Sequence, residues 1–225
     1  MVIRVDPHKL AYMAVPKAAC SSVKATLATI DAGLAAENAH GFGQKQVHGL
    51  YPTQRFRMHR WDRLQEYFRF TVVRDPLTRL LAVYSNRVVG LRELHNCRKI
   101  KRGQVSLPAD PDPDFFFQNL SAYASISSAI KHHALPTVVF TGSDLTRYSR
   151  VYRTSDIPEL AQDLSAIIAR DVIVPHFNSS DTPLSLSDLK PDTLSALRTR
   201  LCHEYAHLED YFENPFGRRL FSMAA

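Results

Sequence analysis

The chain has 225 residues, of which 45% are hydrophobic and 22% charged, enough for one good-sized core and unlike disordered or fibrous proteins. Its three cysteines are widely spaced, which excludes a disulfide framework, and no apolar run approaches the roughly 18 residues of a membrane span. The formal charge of +6 indicates either an anionic partner (nucleic acid, phospholipid or a phosphate-bearing small molecule) or only a soluble basic protein.

Short apolar segments alternate with longer amphipathic ones along the chain. The predicted strands cover residues 10–15, 70–73, 136–140 and 149–153, with a short strand or extended segment at 172–174. The predicted helices cover residues 21–30, 76–89, 114–129, 157–169 and 195–211. Residues 91–113 are polar, basic and interrupted by prolines, so we expect a long surface loop there. The alternation predicts an α/β fold, a single domain over residues 1–225 with a central, mainly parallel sheet flanked by helices.

The first segment with chemical character follows the first predicted strand and reads Pro16-Lys17-Ala18-Ala19-Cys20-Ser21-Ser22. It is a short loop of small residues that leads straight into a helix, so an anion can approach backbone N–H groups and the positive end of the helix dipole. Lys17 adds a full charge, and the two serines add hydroxyl donors. An ordinary tight turn with capping serines explains the segment equally well. It lacks the glycines of Walker A and GxGxxG loops, which disfavours nucleoside triphosphate and dinucleotide sites.

The second segment runs over residues 70–85 and places Arg74 at the carboxyl end of a predicted strand, followed by Asp75 and Pro76. Open α/β sheets bind their ligands at this end of their strands, and a guanidinium can hold a phosphate through two hydrogen bonds. The alternative is that Arg74 and Asp75 pair with each other or cap the helix that follows.

Together, the sequences PKAACSS and FTVVRDPLTRLLAVYS resemble the paired signature of sulfotransferases that use 3′-phosphoadenosine 5′-phosphosulfate (PAPS). The resemblance is strongest to the carbohydrate-modifying branch that includes the chondroitin and HNK-1 sulfotransferases. It implies a P-loop-like α/β sulfotransferase fold. It also implies an enzyme that moves a sulfuryl group from PAPS to a hydroxyl of a carbohydrate or glycoconjugate, leaves 3′-phosphoadenosine 5′-phosphate (PAP) and needs no metal.

The resemblance also implies which residues bind the donor. In the family the first motif wraps the 5′-phosphosulfate and the second holds the 3′-phosphate, so the implied residues are Lys17, Ala18, Ala19, Cys20, Ser21, Ser22, Arg74, Ala82 and Ser85. Two of them depart from the family pattern. Ala19 stands where glycine is usual. An alanine is tolerated at this position if its φ is negative. Ala82 stands where serine is expected, and Ser85 lies three residues later on the same helix face, where its hydroxyl can substitute.

The implied catalytic residues are Lys17 and a histidine. Lys17 would donate to the bridging oxygen as the S–O bond breaks. The general base is expected to be His133, which lies in a segment similar to the family's HxxPQ, or else His59, which lies with His48 between the two motifs. The carboxylate alternatives are Asp62, Glu66 and Glu93.

Two other functions stay open. A PAP- or PAPS-binding module without turnover would explain Ala82 and also Ser155, which stands where the family carries an acid. A basic nucleic-acid-binding protein is supported by charge alone. The densest basic stretch, residues 92–102, lacks the interleaved aromatics of a single-strand binder, so we expect no nucleic-acid partner and interpret it as a solvated loop or an acceptor-binding lid. Because we find no signal-peptide core and no transmembrane segment, we expect a cytoplasmic, bacterial protein.

Overall fold

A computed structural model describes residues 2–31, 42–177 and 184–217. Its strands are β1 (Ile3–Val5), β2 (Leu10–Met13), β3 (Phe68–Val73) and β4 (Arg150–Arg153). Its helices are α1 (Cys20–Ile30), α2 (Gln44–Leu50), α3 (Met58–Trp61), α4 (Pro76–Val83), α5 (Arg98–Lys101), α6 (Pro113–Gln118), α7 (Leu120–Ile126), α8 (Ser128–Ala134), α9 (Val138–Thr141), α10 (Ile157–Ile168) and α11 (Pro191–His207). The chain divides into two compact units: unit 1 is Met1–Arg74 with Thr137–Ser179, and unit 2 is Asp75–Pro136 with Ser180–Ala225. The single domain over residues 1–225 stays a prediction.

Unit 1 is built on a sheet whose described strands lie in the order β1-β2-β3-β4. β2 pairs in parallel with β3, so that Leu10 lies opposite Phe68 and Met13 opposite Thr71, and β3 pairs in parallel with β4. β1 pairs with β2 in the antiparallel direction. Every residue of β2 is buried, as expected of a strand inside a parallel sheet with both faces covered. The predicted α/β fold with a mainly parallel sheet is confirmed.

Both faces of this sheet are packed within unit 1. On one face, Val23 and Leu27 of α1 pack with Phe70 of β3 and with Leu160 and Leu164 of α10. Neighbouring side chains of a strand point to opposite faces, and the second face carries another cluster. That cluster consists of Ala11, Met13, Trp61, Leu64 and Tyr148. The close packing holds the carboxyl ends of β2 and β3, and the start of α1, in a defined arrangement.

The predicted strand at residues 136–140 is wrong, because this segment forms the helical turn α9. Thr137 has helical backbone angles (φ −57°, ψ −39°), and its carbonyl accepts hydrogen bonds from the N–H groups of Phe140 (2.8 Å) and Thr141 (3.1 Å). Gly142, at φ +79°, ends the turn. A short run of β-branched residues cannot be assigned to strand or helix from its periodicity alone. In this turn the Phe140 side chain is buried and the Val138 side chain is exposed, as expected of one turn of helix on the surface of unit 1.

Unit 2 is helical throughout its described regular structure, and its core joins α4, α6, α7, α8 and α11. The predicted helix at 76–89 is present as α4 followed by a π-helical stretch, Tyr84–Gly90. The predicted helix at 114–129 is divided at Asn119 and Ser127, and the Ser127 hydroxyl caps α8. The predicted helix at 195–211 is present as α11, which begins and ends four residues earlier than expected. Pro191 occupies its first position, where proline is favoured.

The predicted surface loop at residues 91–113 is only partly correct. It contains a 3₁₀ turn (Glu93–Asn96) and the short helix α5. Leu94 is fully buried and Cys97 nearly so, which ties the segment to the core of unit 2. Residues 172–174 form no strand, and Ile173 is 85% exposed.

Candidate active site

The two sequence segments meet at the carboxyl ends of β2 and β3. Because these strands are parallel neighbours, the loop after β2 and the residue after β3 emerge on the same edge of the sheet. Arg74 donates from Nη1 to the backbone carbonyl of Lys17 at 3.3 Å. Lys17 and Arg74, which are 57 positions apart in the chain, therefore lie side by side in unit 1.

The backbone of the first loop has an unusual conformation. Lys17 has a φ of 67° and Ala19 a φ of 54°, whereas Ala18 between them is outside the positive-φ region. Backbone that enters the left-handed region in a tight loop is one way in which N–H groups are turned toward a bound anion. Ala19 lacks the negative φ at which an alanine replaces the usual glycine without strain. Its methyl group therefore carries the strain that a glycine avoids.

The N-terminus of α1 opens at this loop. Ala19 occupies the N-cap position, and its side chain makes no capping hydrogen bond. The first backbone hydrogen bond of the helix runs from the Val23 N–H to the carbonyl of the N-cap residue Ala19, at 3.2 Å. The first N–H groups of an 11-residue helix and its dipole favour an anion at this end. The predicted residues Ala18 and Cys20 are buried here, and their assignment to the donor site stays a prediction.

The two serines of the first motif have different surroundings. The Ser22 hydroxyl accepts a hydrogen bond from the backbone N–H of Phe177, at 3.2 Å. The Ser21 hydroxyl lies 2.9 Å from Nε2 of His48 and accepts a longer bond from Gln44, at 3.4 Å. Both serines are more than nine-tenths buried. The interpretation of these serines as helix caps is not supported by the Ala19 N-cap geometry, since the serines lie inside α1.

Neither His48 nor Lys24 was predicted from the sequence as a donor-binding residue. Lys24 is fully buried in α1 and contacts Nδ1 of His48 at 3.2 Å and the Thr53 hydroxyl at 2.7 Å. Burial lowers the pKa of Lys24. The spacing of Ser21 and Lys24 on one helix face was the signal available in the sequence, but the approach of α2, which carries His48, depends on the folded chain.

The two histidines predicted as bases lie in different units. His59 is exposed on α3 in unit 1. His133 is half-buried near the end of α8 in unit 2, with its ring 5.1 Å from that of His132 and its backbone carbonyl accepting a bond from Arg79. The structure does not single out either as the base, and both assignments stay predictions.

The remaining residues of the second motif belong to unit 2. Asp75 caps α4 by accepting from the Thr78 N–H (2.8 Å), and it also accepts from the Tyr205 hydroxyl (2.7 Å). Ala82 lies on α4 and Ser85 in the π-helical stretch, and both are more than nine-tenths buried. Their assignment to the donor site stays a prediction. Ser155, which replaces the expected acid, donates to the carboxylate of Asp156 at 2.8 Å.

Arg79, the second arginine of RDPLTR, is fully buried in unit 2. It donates through Nη2 to both carboxylate oxygens of Glu204, at 3.0 and 2.9 Å, and to the Leu135 carbonyl at 2.9 Å. These contacts hold α4, α11 and the end of α8 together. Arg79 is therefore a structural element of the motif.

In residues 2–31, 42–177 and 184–217, no three His, Cys, Asp or Glu side chains are grouped as a metal ion requires. None of the helices in the same ranges combines the length and apolarity needed to cross a membrane.

Comparison with known proteins gives a consistent result. Residues 1–208 match the model of the sulfotransferase family. Over 122 residues the chain is 31% identical to carbohydrate sulfotransferase 14 of Mus musculus, covering 49% of this chain and 31% of that protein. Over 86 residues it is 33% identical to carbohydrate sulfotransferase 14 of Danio rerio, covering 36% of this chain and 22% of that protein. The chain thus matches a third or less of the length of these relatives. No solved structure matches it.

Proposed function

Because the chain belongs to the sulfotransferase family, we propose that it transfers a sulfuryl group from PAPS to a hydroxyl of a carbohydrate or glycoconjugate acceptor. The match over residues 1–208 confirms the resemblance predicted from the two motifs. The name of the two relatives supports a carbohydrate acceptor, and the net charge of +6 suits an anionic donor. The observation that carries the proposal is the meeting of Lys17 and Arg74 beside the N-terminus of α1.

The residues of this edge suit the two anionic ends of PAPS, which supplies an activated sulfuryl group when bound. The N-terminus of α1, which follows the loop directly, provides N–H donors for the 5′-phosphosulfate. Arg74 follows β3 and contacts the Lys17 carbonyl at 3.3 Å, and a guanidinium can bind a phosphate through two hydrogen bonds, so Arg74 is the proposed ligand of the 3′-phosphate. Ser85 remains the proposed replacement for the hydroxyl missing at Ala82.

Transfer then requires charge stabilisation and one proton acceptor. The acceptor oxygen forms a bond to sulfur in line with the S–O bond that breaks, and that bond's electrons pass to the phosphate oxygen. The Lys17 ammonium would stabilise this developing charge. The proton of the acceptor hydroxyl passes to a histidine, with His133 and then His59 as the proposed bases. No step requires a metal.

The first test is calorimetric titration of the protein with PAP, with ATP and AMP as comparison ligands. A hydrogen bond to a charged group contributes about 1.5–3 kcal/mol, so Arg74→Ala is expected to weaken PAP binding roughly 10- to 150-fold. Lys17→Ala is expected to weaken it also. Arg4→Ala is the matched control, because Arg4 is half-exposed on the edge strand β1 and pairs only weakly with Asp6, at 3.5 Å.

The outcomes separate the proposal from its alternatives. Binding of PAP that is lost in Arg74→Ala and kept in Arg4→Ala supports a PAPS site, and transfer of labelled sulfate from PAPS to a carbohydrate establishes the enzyme. PAP binding without transfer to any acceptor in a broad glycan panel favours the binding module. Failure to bind PAP at low salt refutes the proposal. Salt-sensitive binding of nucleic acid without preference for PAP favours a basic nucleic-acid-binding protein.

A further inference from the structure

A buried polar chain lies beneath the N-terminus of α1. It runs from Lys24 Nζ to His48 Nδ1 (3.2 Å) and from His48 Nε2 to the Ser21 hydroxyl (2.9 Å). We call these three residues the Lys24 relay. Thr53 receives a second bond from Lys24 at 2.7 Å, and Gln44 donates to Ser21 at 3.4 Å. All of these residues belong to unit 1.

The charge of Lys24 is the first argument for a role in ligand binding. Lys24 is 0% exposed, and its hydrogen-bond partners, His48 and Thr53, carry no negative charge. Within the described ranges of the chain, Lys24 forms no salt bridge with a carboxylate. An isolated buried ammonium is costly unless an opposite charge lies nearby. An anion at the N-terminus of α1, about one helical turn away, would supply that charge.

The direction of the hydrogen bonds is the second argument. An ammonium can only donate, so Lys24 donates to Nδ1 of His48, and the neutral ring then carries its hydrogen on Nε2. Nε2–H therefore donates to the Ser21 oxygen, which also accepts from Gln44. A hydroxyl that accepts two hydrogen bonds has its own hydrogen left for donation. In this arrangement Ser21 is a donor to whatever anion lies at the start of α1.

We propose that Lys24, acting through His48, is a positioning residue that holds Ser21 as a hydrogen-bond donor to the 5′-phosphosulfate and supplies the buried counter-charge for it. The inference rests on the proposed function for the identity of the anion. It also assigns His48 a role other than general base, because Nε2 carries the ring hydrogen and the basic nitrogen, Nδ1, already accepts from Lys24.

Lys24→Met tests the charge, because methionine keeps an unbranched apolar side chain without the ammonium. The affinity for PAP, measured by calorimetry, is expected to fall about ten-fold or more. The unfolding temperature of the ligand-free protein is expected to stay unchanged or to rise, because an uncompensated buried charge has been removed. Lys45→Met is the matched control, since it removes the same charge from an exposed position on α2 and is expected to change neither quantity.

A double-mutant cycle tests the relay. His48→Ala and Ser21→Ala are each expected to weaken PAP binding. The loss in the Lys24→Met, Ser21→Ala double variant is expected to be smaller than the sum of the two single losses, because Lys24 acts in part through the hydrogen bond that Ser21 donates. Additive losses would overturn the relay. Unchanged PAP affinity in His48→Ala would also overturn it. A lower unfolding temperature in Lys24→Met with unchanged PAP affinity would show that Lys24 is only structural.

Inorganic pyrophosphate separates failure of the relay from failure of the proposed function. If the protein binds no PAP but binds pyrophosphate, and Lys24→Met weakens that binding about ten-fold, the relay stands and the PAPS assignment falls. If the protein binds PAP and neither PAP nor pyrophosphate affinity responds to Lys24→Met, the PAPS site stands and the relay falls. If the protein binds neither anion, both fall.

Discussion

Removal of the buried arginine of the second motif is expected to destabilise unit 2 strongly. Arg79 is 0% exposed, and the side chain of its partner Glu204 is 7% exposed. Arg79→Met removes the bidentate partner of a buried carboxylate, for which the expected cost is about 3–5 kcal/mol of unfolding free energy. It also removes the hydrogen bonds to the carbonyls of His133 and Leu135, at 3.2 and 2.9 Å. In a chain of this length that corresponds to a decrease of roughly 6–20 °C in unfolding temperature.

The assay is guanidinium unfolding of four proteins: the wild type, Arg79→Met, Glu204→Leu and the double variant. The double variant is expected to be more stable than the sum of the single losses predicts, because it leaves no buried charge of this pair behind. Arg92→Met is the control, since the Arg92–Asp110 pair is 63% exposed on both sides and such pairs add little stability. Strictly additive losses, or an Arg79→Met loss no larger than that of Arg92→Met, would refute the reasoning.

Two further predictions concern the first loop and unit 2. Ala19→Gly is expected to stabilise the protein slightly, by about 0.5 kcal/mol, because relief of left-handed strain exceeds the entropy that glycine adds to the unfolded chain. Ala18→Gly, at a buried position outside the positive-φ region, is expected to destabilise it by about 1 kcal/mol. If the urea unfolding midpoints of Ala19→Gly and Ala18→Gly shift in the same direction, that result would contradict the backbone angles of the loop. Hydrogen bonds from Thr193 and from the Lys190 N–H lower the pKa of Asp114 below its ordinary value of 3.8. Its contribution to stability is therefore present at neutral pH and lost as the pH falls through the folded-state pKa. Asp114→Asn should be less stable than the wild type at pH 7, and the difference should shrink in acid; a difference that is constant with pH would count against this assignment.

The α/β class and the family could be predicted from short stretches of sequence. The run Leu10–Met13 is continuously apolar and residues 70–73 are apolar except for Thr71, which is typical of strands buried on both faces. Each is followed by a short loop and then a helix start, and the place of Lys17 and Arg74 in the loops after the strands follows from that order alone. Local chemistry was sufficient because anion binding at a helix N-terminus depends on residues that are neighbours in the chain.

Other features were decided only by the tertiary structure. The segment 136–140 has the composition of a strand, but hydrogen bonds to the Thr137 carbonyl close a helical turn instead. The positive φ of Ala19 is imposed by the loop between β2 and α1 and contradicts the residue's own preference. The contact of His48 with Ser21 and Lys24 spans 27 and 24 positions, and it exists because α2 packs against α1. The sequence by itself therefore determined the fold class, the family and the edge of the sheet that carries the chemistry. The folded chain decided which histidine lies beside the loop and that a buried lysine lies beneath it, because such contacts depend on packing between segments that are far apart in the chain.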